Sequence, residues 1–178
     1  MSPGNLYYHF RNKEEIIRMI FEKIIEYFND LWTNEEKFSL FEVFNMVFKK
    51  NLKVQLKYKF FYLEISTLLN NDNSLKERFR EIQKFRIKSM ENLIEVLIDN
   101  KLLKPEAFEG SYNNIIELIW FISNFGLLQV DLLSEKLDLE LIEKKTYFII
   151  ELLYPHLTDT GLKEYNKFKK QFLEKEKS

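Results

Sequence analysis

The sequence predicts an all-α fold, a bundle of amphipathic helices, and three observations carry that prediction. Glycine and proline are sparse, 4 and 3 among 178 residues, which leaves too few turn formers for the tight connections of a β-rich chain. The stretches between them are rich in Leu, Glu and Lys, all strong helix formers. Apolar residues recur at steps of three and four, the period of a helix face, instead of alternating as in a half-buried strand. With 46% hydrophobic residues the chain can bury a sizeable core.

The first element is a short helix at 3–10. Ser2 can accept hydrogen bonds from first-turn amides as an N-cap, and Pro3 suits the first helical position because its missing N–H would have no partner there. Gly4 costs about 1 kcal/mol relative to Ala in a helix, so its presence points to close approach of something to the backbone. A phosphate at a helix N-terminus is such a partner. Asn5, Tyr7, Tyr8 and His9 present polar groups around this helix, while Leu6 and Phe10 at i, i+4 form an inward stripe. Between Met1 and Lys13 there is no acidic residue, whereas Arg11, Lys13 and the terminal amine are cationic, the local electrostatics of a phosphate contact.

The next helix runs from Lys13 to about Trp32, capped by Asn12 with Glu15 three residues on, and places Ile16, Ile17, Ile20, Phe21, Ile24, Ile25 and Phe28 on one face. After a polar break at 33–38, Ser39 and Glu42 form a second capping box for a helix to about Leu56. Its Lys49, Lys53 and Lys57 read as a solvated face. Residues 60–69 predict one short aromatic-rich helix, ended by Asn70-Asn71-Asp72-Asn73, which also supplies the next N-cap. From 74 to about 100, Leu75, Phe79, Ile82, Met90, Leu93 and Leu97 keep helical register, with Arg86 the one polar interruption; an antiparallel partner is expected. The segment 101–110, with Pro105 and Gly110, is a connection. Ser111 should cap the strongly apolar helix at 112–130, in which Gly126 would admit another backbone. Further helices are expected at 138–154, stopped by Pro155, and at 158–174.

The run Ser2-Pro3-Gly4-Asn5-Leu6-Tyr7-Tyr8-His9-Phe10, followed by Asn12-Lys13-Glu14-Glu15-Ile16, resembles the recognition helix and following helix start of TetR/AcrR-type transcriptional regulators. The likeness in sequence is strong for residues 2 to about 20 and beyond that is one of architecture. It implies that Pro3, Asn5 and Tyr7 lie nearest the bases of a DNA major groove, and that Ser2, Gly4, Tyr8, His9 and Lys13 hold phosphates. It further implies residues 1–32 as a remnant of the DNA-binding domain, and 33–178 as a helical ligand-binding and dimerisation domain. Such regulators carry two helices ahead of this motif. With Met1 standing just before Ser2, both are expected to be missing from this chain.

Other function classes find little support. With no cysteine, disulfides, thiolate metal sites and cysteine nucleophiles are excluded. His9 and His156 are the only imidazoles and have no metal-ligand spacing, so no metal, no cofactor and no enzyme activity are expected. The formal net charge of −1 gives no whole-protein field for nucleic acid, so DNA contact must be local to the N-terminus and doubled by a homodimer. Dimer contacts are expected from the helices near 112–130 and 138–154. The most membrane-like stretch, 115–133, contains Glu117, Asn124, Gln129 and Asp131, so a buried helix is expected there and the cytoplasm as compartment. Seventeen Phe and nine Tyr could enclose a small-molecule inducer, with Tyr62, Glu64, Trp120 and Asn124 as candidate pocket residues. Two functions follow: a ligand-responsive DNA-binding regulator, most simply a repressor, or a helical sensor and dimerisation module without DNA binding of its own.

Overall fold

The cap at Asn12 forms as expected: its Oδ1 accepts from the Glu15 amide at 2.9 Å, and Glu14 and Glu15 place negative charge at the positive end of the helix that follows. The computed structural model describes residues 12–29, 40–133 and 147–175. In chain order they form α1 (Lys13–Asn29), α2 (Leu40–Lys57), α3 (Lys59–Leu63), α4 (Ile65–Asn71), α5 (Asn73–Asp99) and α6 (Ser111–Leu132). A helical segment at 147–151, here α7, then leads through a 3₁₀ turn at Tyr154–His156 into α8 (Asp159–Lys175). Among the described residues the only β contact is an isolated bridge between Leu103 and Leu157, so the all-α fold read from composition and period is the fold observed.

Two apolar clusters hold the bundle. The first joins Ile17, Phe21, Ile24 and Ile25 of α1 to Val54, Phe61, Tyr62, Ile65, Leu75 and Leu127. The second joins Phe41, Phe44 and Phe48 to Ile94, Leu97, Ile116, Ile119, Ile149, Ile150, Tyr165 and Phe168. Three helices pass through both clusters. The start of α2, the end of α5 and the start of α6 meet in the second, and their opposite ends meet in the first. The long helix α5 therefore runs antiparallel to α2 and α6, the partner arrangement its apolar register demanded.

Tertiary context altered three local expectations. Residues 60–69 form two helices, because Glu64 (φ −99°, ψ 10°) leaves the helical region between α3 and α4, and adjacent Phe61 and Tyr62 are both buried. Ser111 is not the cap of α6. Gly110 occupies that position in the left-handed region (φ 81°), and the cap is the Glu106 carboxylate, which accepts from the Gly110 amide at 3.3 Å and the Tyr112 amide at 3.1 Å. Substituting Glu106→Ala should then cost about 0.5–2 kcal/mol, the usual worth of an N-cap, as read by chemical denaturation. Gly126 admits no other backbone among the described residues, its nearest neighbour being the Ile122 side chain at 3.8 Å from a built Cβ. The close backbone approach occurs instead at Gly161, where the first turn of α8 lies against the Leu102 carbonyl.

That approach closes the bundle at the α5–α6 connection. The Thr158 amide donates to Leu102 O at 3.1 Å, the Lys104 amide to His156 O at 2.8 Å, and the Tyr112 hydroxyl to Lys104 O at 2.6 Å. Thr158 also caps α8, accepting from the Gly161 amide at 3.1 Å. The helix α6 is long and apolar enough to cross a membrane, yet Tyr112, Ile116, Ile119, Leu127 and Val130 are buried inside this fold.

Candidate functional site

The helix α1 connects the two regions that chemistry singles out. At its N-terminal end stands Lys13, exposed, directly after the motif; Ser2, Pro3, Gly4, Asn5, Tyr7, Tyr8 and His9 lie outside the described residues. Its inward face carries Ile17, Phe21, Ile24 and Ile25, each nearly inaccessible to water. At ~1.5–3 kcal/mol per buried side chain, these hold α1 to the body more strongly than exposed ion pairs, worth ~0–1 kcal/mol each. The ion pairs set its direction instead. Arg18 NH1 meets Asp72 Oδ2 at 2.8 Å, and Arg78 grips Glu22 with two nitrogens, at 2.8 and 3.1 Å. Asp72 simultaneously caps α5 by accepting from the Leu75 amide at 3.0 Å. Substituting Asp72→Ala removes the cap and the ion pair together, and should cost about 1–2 kcal/mol in a denaturant titration, with Arg18→Ala costing less.

Between α1, α2, α5 and α6 lies a cavity of about 140 Å³. From α1 it takes Phe21, Ile24, Ile25 and Phe28, from α2 Val43, Phe44, Val47, Phe48 and Asn51, and from α3 Tyr62. The α5 wall includes Phe79, Ile82, Arg86, Ser89, Met90 and Leu93, and the α6 wall Ile119, Trp120, Ser123 and Asn124. Rings pack around it: Phe44 and Phe48 stack at 5.9 Å, while Phe21 and Phe79, and Phe79 and Trp120, meet tilted at 6.0 Å each. Burial pushes the Tyr62 phenol well above its usual range, so it stays neutral. Beside the cavity, Gln55 is completely buried and its Nε2 donates to the Ser123 carbonyl and, at 3.1 Å, to Asn51 Oδ1, which ties α2 to α6. The Ser123 hydroxyl is buried and has no hydrogen-bond partner among the described residues.

Tyr62, Trp120 and Asn124 thus come together on one cavity, although they lie far apart in sequence. Asn124 Nδ2 donates to Trp120 O at 2.8 Å, which orients its amide along α6. Glu64 does not join them. It is exposed at the break between α3 and α4, where the backbone leaves the helical region. Sequence reasoning missed Asn51, Arg86, Ser89 and Ser123 as lining residues. Arg86 did carry a signal, as the single polar break in the apolar register of α5; Asn51, among lysines, carried none.

The arrangement is a helix that forms one wall of an apolar cavity and whose N-terminal end directly follows residues 2–12 in the sequence. The sequence profile of TetR, described as bacterial transcriptional repressor, matches residues 20–165, most of the chain. The chain belongs to the TetR family. The biofilm operon icaADBC HTH-type negative transcriptional regulator IcaR of Staphylococcus epidermidis is 33% identical over 85 residues. That match covers 46% of this chain and 46% of the relative, so about half of the relative's length is spanned. The crystal structure of a TetR-family transcriptional regulator from Marinobacter aquaeolei VT8 superposes with a TM-score of 0.80, covering 97% of this chain and 83% of that one. At 22% identity that likeness speaks to the fold, the all-α architecture of TetR regulators.

Proposed function

We propose that this TetR-family regulator is a homodimeric, ligand-responsive repressor that works in the cytoplasm, in which residues 1–32 serve the DNA and 33–178 the ligand and the dimer. The observation that supports it best is the double role of α1: four of its side chains line the cavity, while its N-terminal end continues the motif Ser2 to Lys13. At ~1.5 Å per residue its 17 residues extend about 26 Å, so displacement of the Phe21–Phe28 face by a ligand swings the far end through a larger arc. Two such ends in a dimer must stand about one helical turn of DNA apart, ~34 Å, and a change in that spacing weakens operator binding. The relative's description as a negative regulator supports repression as the sense of control.

Selection from a random duplex library with the natural product, including whatever residues precede Met1, tests the reading. The expected result is a two-fold symmetric site with half-sites one turn apart. No enriched sequence would sink it and leave a helical sensor and dimerisation module. In the same assay Lys13→Ala should weaken all sequences about equally and reduce the salt slope by about 1, the behaviour of one phosphate contact.

We assign the dimer surface to α6 and α7. Leu118 and Phe121 of α6 are exposed, Phe121 to 59%, as are Leu132 at the end of α6 and Phe148 of α7. Exposed apolar side chains of that size are what a second copy would cover. Light scattering at micromolar concentration should give twice the chain mass, and Phe121→Glu should give the single mass. A native monomer would overturn the assignment.

A further inference from the structure

Tyr62 brings to the cavity a polar group that its surroundings leave unused. The residue lines the space and is 5% exposed, and its phenol hydroxyl has no hydrogen-bond partner among the described residues: burial alone acts on it, with no neighbouring charge or acceptor. A buried tyrosine hydroxyl ordinarily finds such a partner. Because burial raises its pKa, the group keeps its proton at neutral pH and can donate. Other polar side chains of the lining already hold partners. Asn51 Oδ1 accepts from Gln55 Nε2 at 3.1 Å, Ser89 Oγ donates to Phe85 O at 2.9 Å, and Asn124 Nδ2 donates to Trp120 O at 2.8 Å. Arg86 is engaged as well, over the Phe28 ring at 5.4 Å and in a further interaction, so it is no free charge for a ligand. Aspartate, glutamate, lysine and histidine are absent from the described lining. An ion of either sign would give up its water here without a free counter-charge to replace it, which disfavours charged ligands. Size narrows the ligand further. About 140 Å³ is close to the ~150 Å³ apolar cavity that accepts benzene, room for one ring and a small substituent.

We propose that the cavity takes an uncharged one-ring aromatic molecule with one acceptor oxygen, its ring among Phe21, Phe44, Phe79 and Trp120 and its oxygen on the Tyr62 hydroxyl. This names the ligand class of the regulator proposed above and rests on that reading for its biological sense, but binding can be measured without DNA. Titration calorimetry of the full chain compares four probes of one shape. They are acetophenone, α-methylstyrene, in which a methylene replaces the carbonyl oxygen, and the ions benzoate and benzamidinium. In the native chain acetophenone should saturate and bind at least about tenfold more tightly than either ion. In Tyr62→Phe, which removes only the hydroxyl, acetophenone should lose at least about fivefold in affinity relative to α-methylstyrene, the worth of one hydrogen bond. The ratio of the two losses separates that bond from the greater hydrophobicity of the hydrocarbon. A relative loss smaller than this, an ion that binds within the tenfold margin, or no saturable binding of acetophenone would each overturn the proposal. The native comparison needs no variant, so a poorly folding Tyr62→Phe leaves the test intact. The regulatory reading fails separately: acetophenone that saturates the cavity without releasing selected operator DNA refutes ligand control and leaves the ligand assignment standing.

Discussion

Phe41→Ala will lower the stability of the fold by about 3–5 kcal/mol, the cost of emptying a buried aromatic site that cannot collapse. Phe41 is 1% exposed at the start of α2. Its ring lies 5.6 Å from that of Tyr165 in an edge-on arrangement and 6.1 Å from that of Phe168 in a stacked one, both on α8. Tyr165 is itself fixed, since its hydroxyl shares a 2.6 Å hydrogen bond with that of Tyr147 and lies 3.2 Å from Glu151 Oε1, both on the α7 side. A helix held on several sides does not slide in to fill the space left by a ring, so the cavity term adds to the lost transfer energy. The measurement is a urea transition at fixed protein concentration, since dimerisation would make the midpoint concentration-dependent. The midpoint should fall with the slope unchanged. Met46→Ala, at a position of the same helix that is 39% exposed, should change stability by no more than about 0.5 kcal/mol. A Phe41→Ala loss below about 1 kcal/mol would mean that α8 does not depend on this contact.

The second large effect is a pair of glycine substitutions with opposite signs. In a helix Ala is better than Gly by ~0.5–1 kcal/mol, so Gly→Ala stabilises wherever the added methyl has room. Gly126 has room, with only the Ile122 side chain at an ordinary 3.8 Å, and Gly126→Ala should stabilise the protein by about that amount. At Gly161 the methyl would stand 2.1 Å from the Leu102 carbonyl oxygen and 3.2 Å from Leu157 Cδ2. A backbone carbonyl is not a flexible side-chain end; it moves only if the connection after α5 moves, together with the Thr158–Leu102 hydrogen bond that anchors α8. Overpacking of this kind costs ~1–3 kcal/mol, which exceeds the propensity gain. Gly161→Ala should therefore lower the thermal midpoint while Gly126→Ala raises it. A rise in both would show that the contact at Leu102 yields easily. A stabilising Gly126→Ala that also weakens dimerisation would place Gly126 against the second copy.

Helices with strong local signals were legible at the level of individual residues. Asn12, Asp72 and the Gly110 region all punctuate the chain as turn and cap chemistry dictates, and the faces of α1 and α5 follow directly from the spacing of their apolar residues. Where a local choice depended on something distant, it was not legible. Glu106 rather than Ser111 caps α6 because the connection folds back by a few residues, and the Ser111 side chain is then buried without a hydrogen-bond partner among the described residues. Gly161, near the end of the chain, gave no local sign of the backbone it touches, since Leu102 is remote in sequence. Gly126, in the middle of an apolar helix, gave a sign that nothing within the described chain answers.

The candidate site divides along the same line. Polar or amphipathic side chains within apolar stretches point to Tyr62, Trp120 and Asn124, each of which lines the cavity. The same pattern points to Glu64, where it fails: at the break between α3 and α4 that carboxylate is exposed and does not line the cavity. Arg86 reads in the sequence only as an interruption of the apolar register of α5. Its place on the cavity depends on Phe28 of another helix, which does not lie within reach of a one-dimensional pattern.

By itself, then, the sequence determined the helical class, the place of most helix starts, the inward faces and the DNA-reader likeness of residues 2–15, because those are written in contacts between residues no more than four apart. Only the tertiary structure decided that α1 forms a wall of the cavity, that α5 runs against α2 and α6, and that Tyr62, Arg86, Trp120 and Asn124 line one space. Those are properties of surfaces contributed by four helices at once, and the balance of burial, ion pairing and close backbone approach that sets them exists only when the chain is closed.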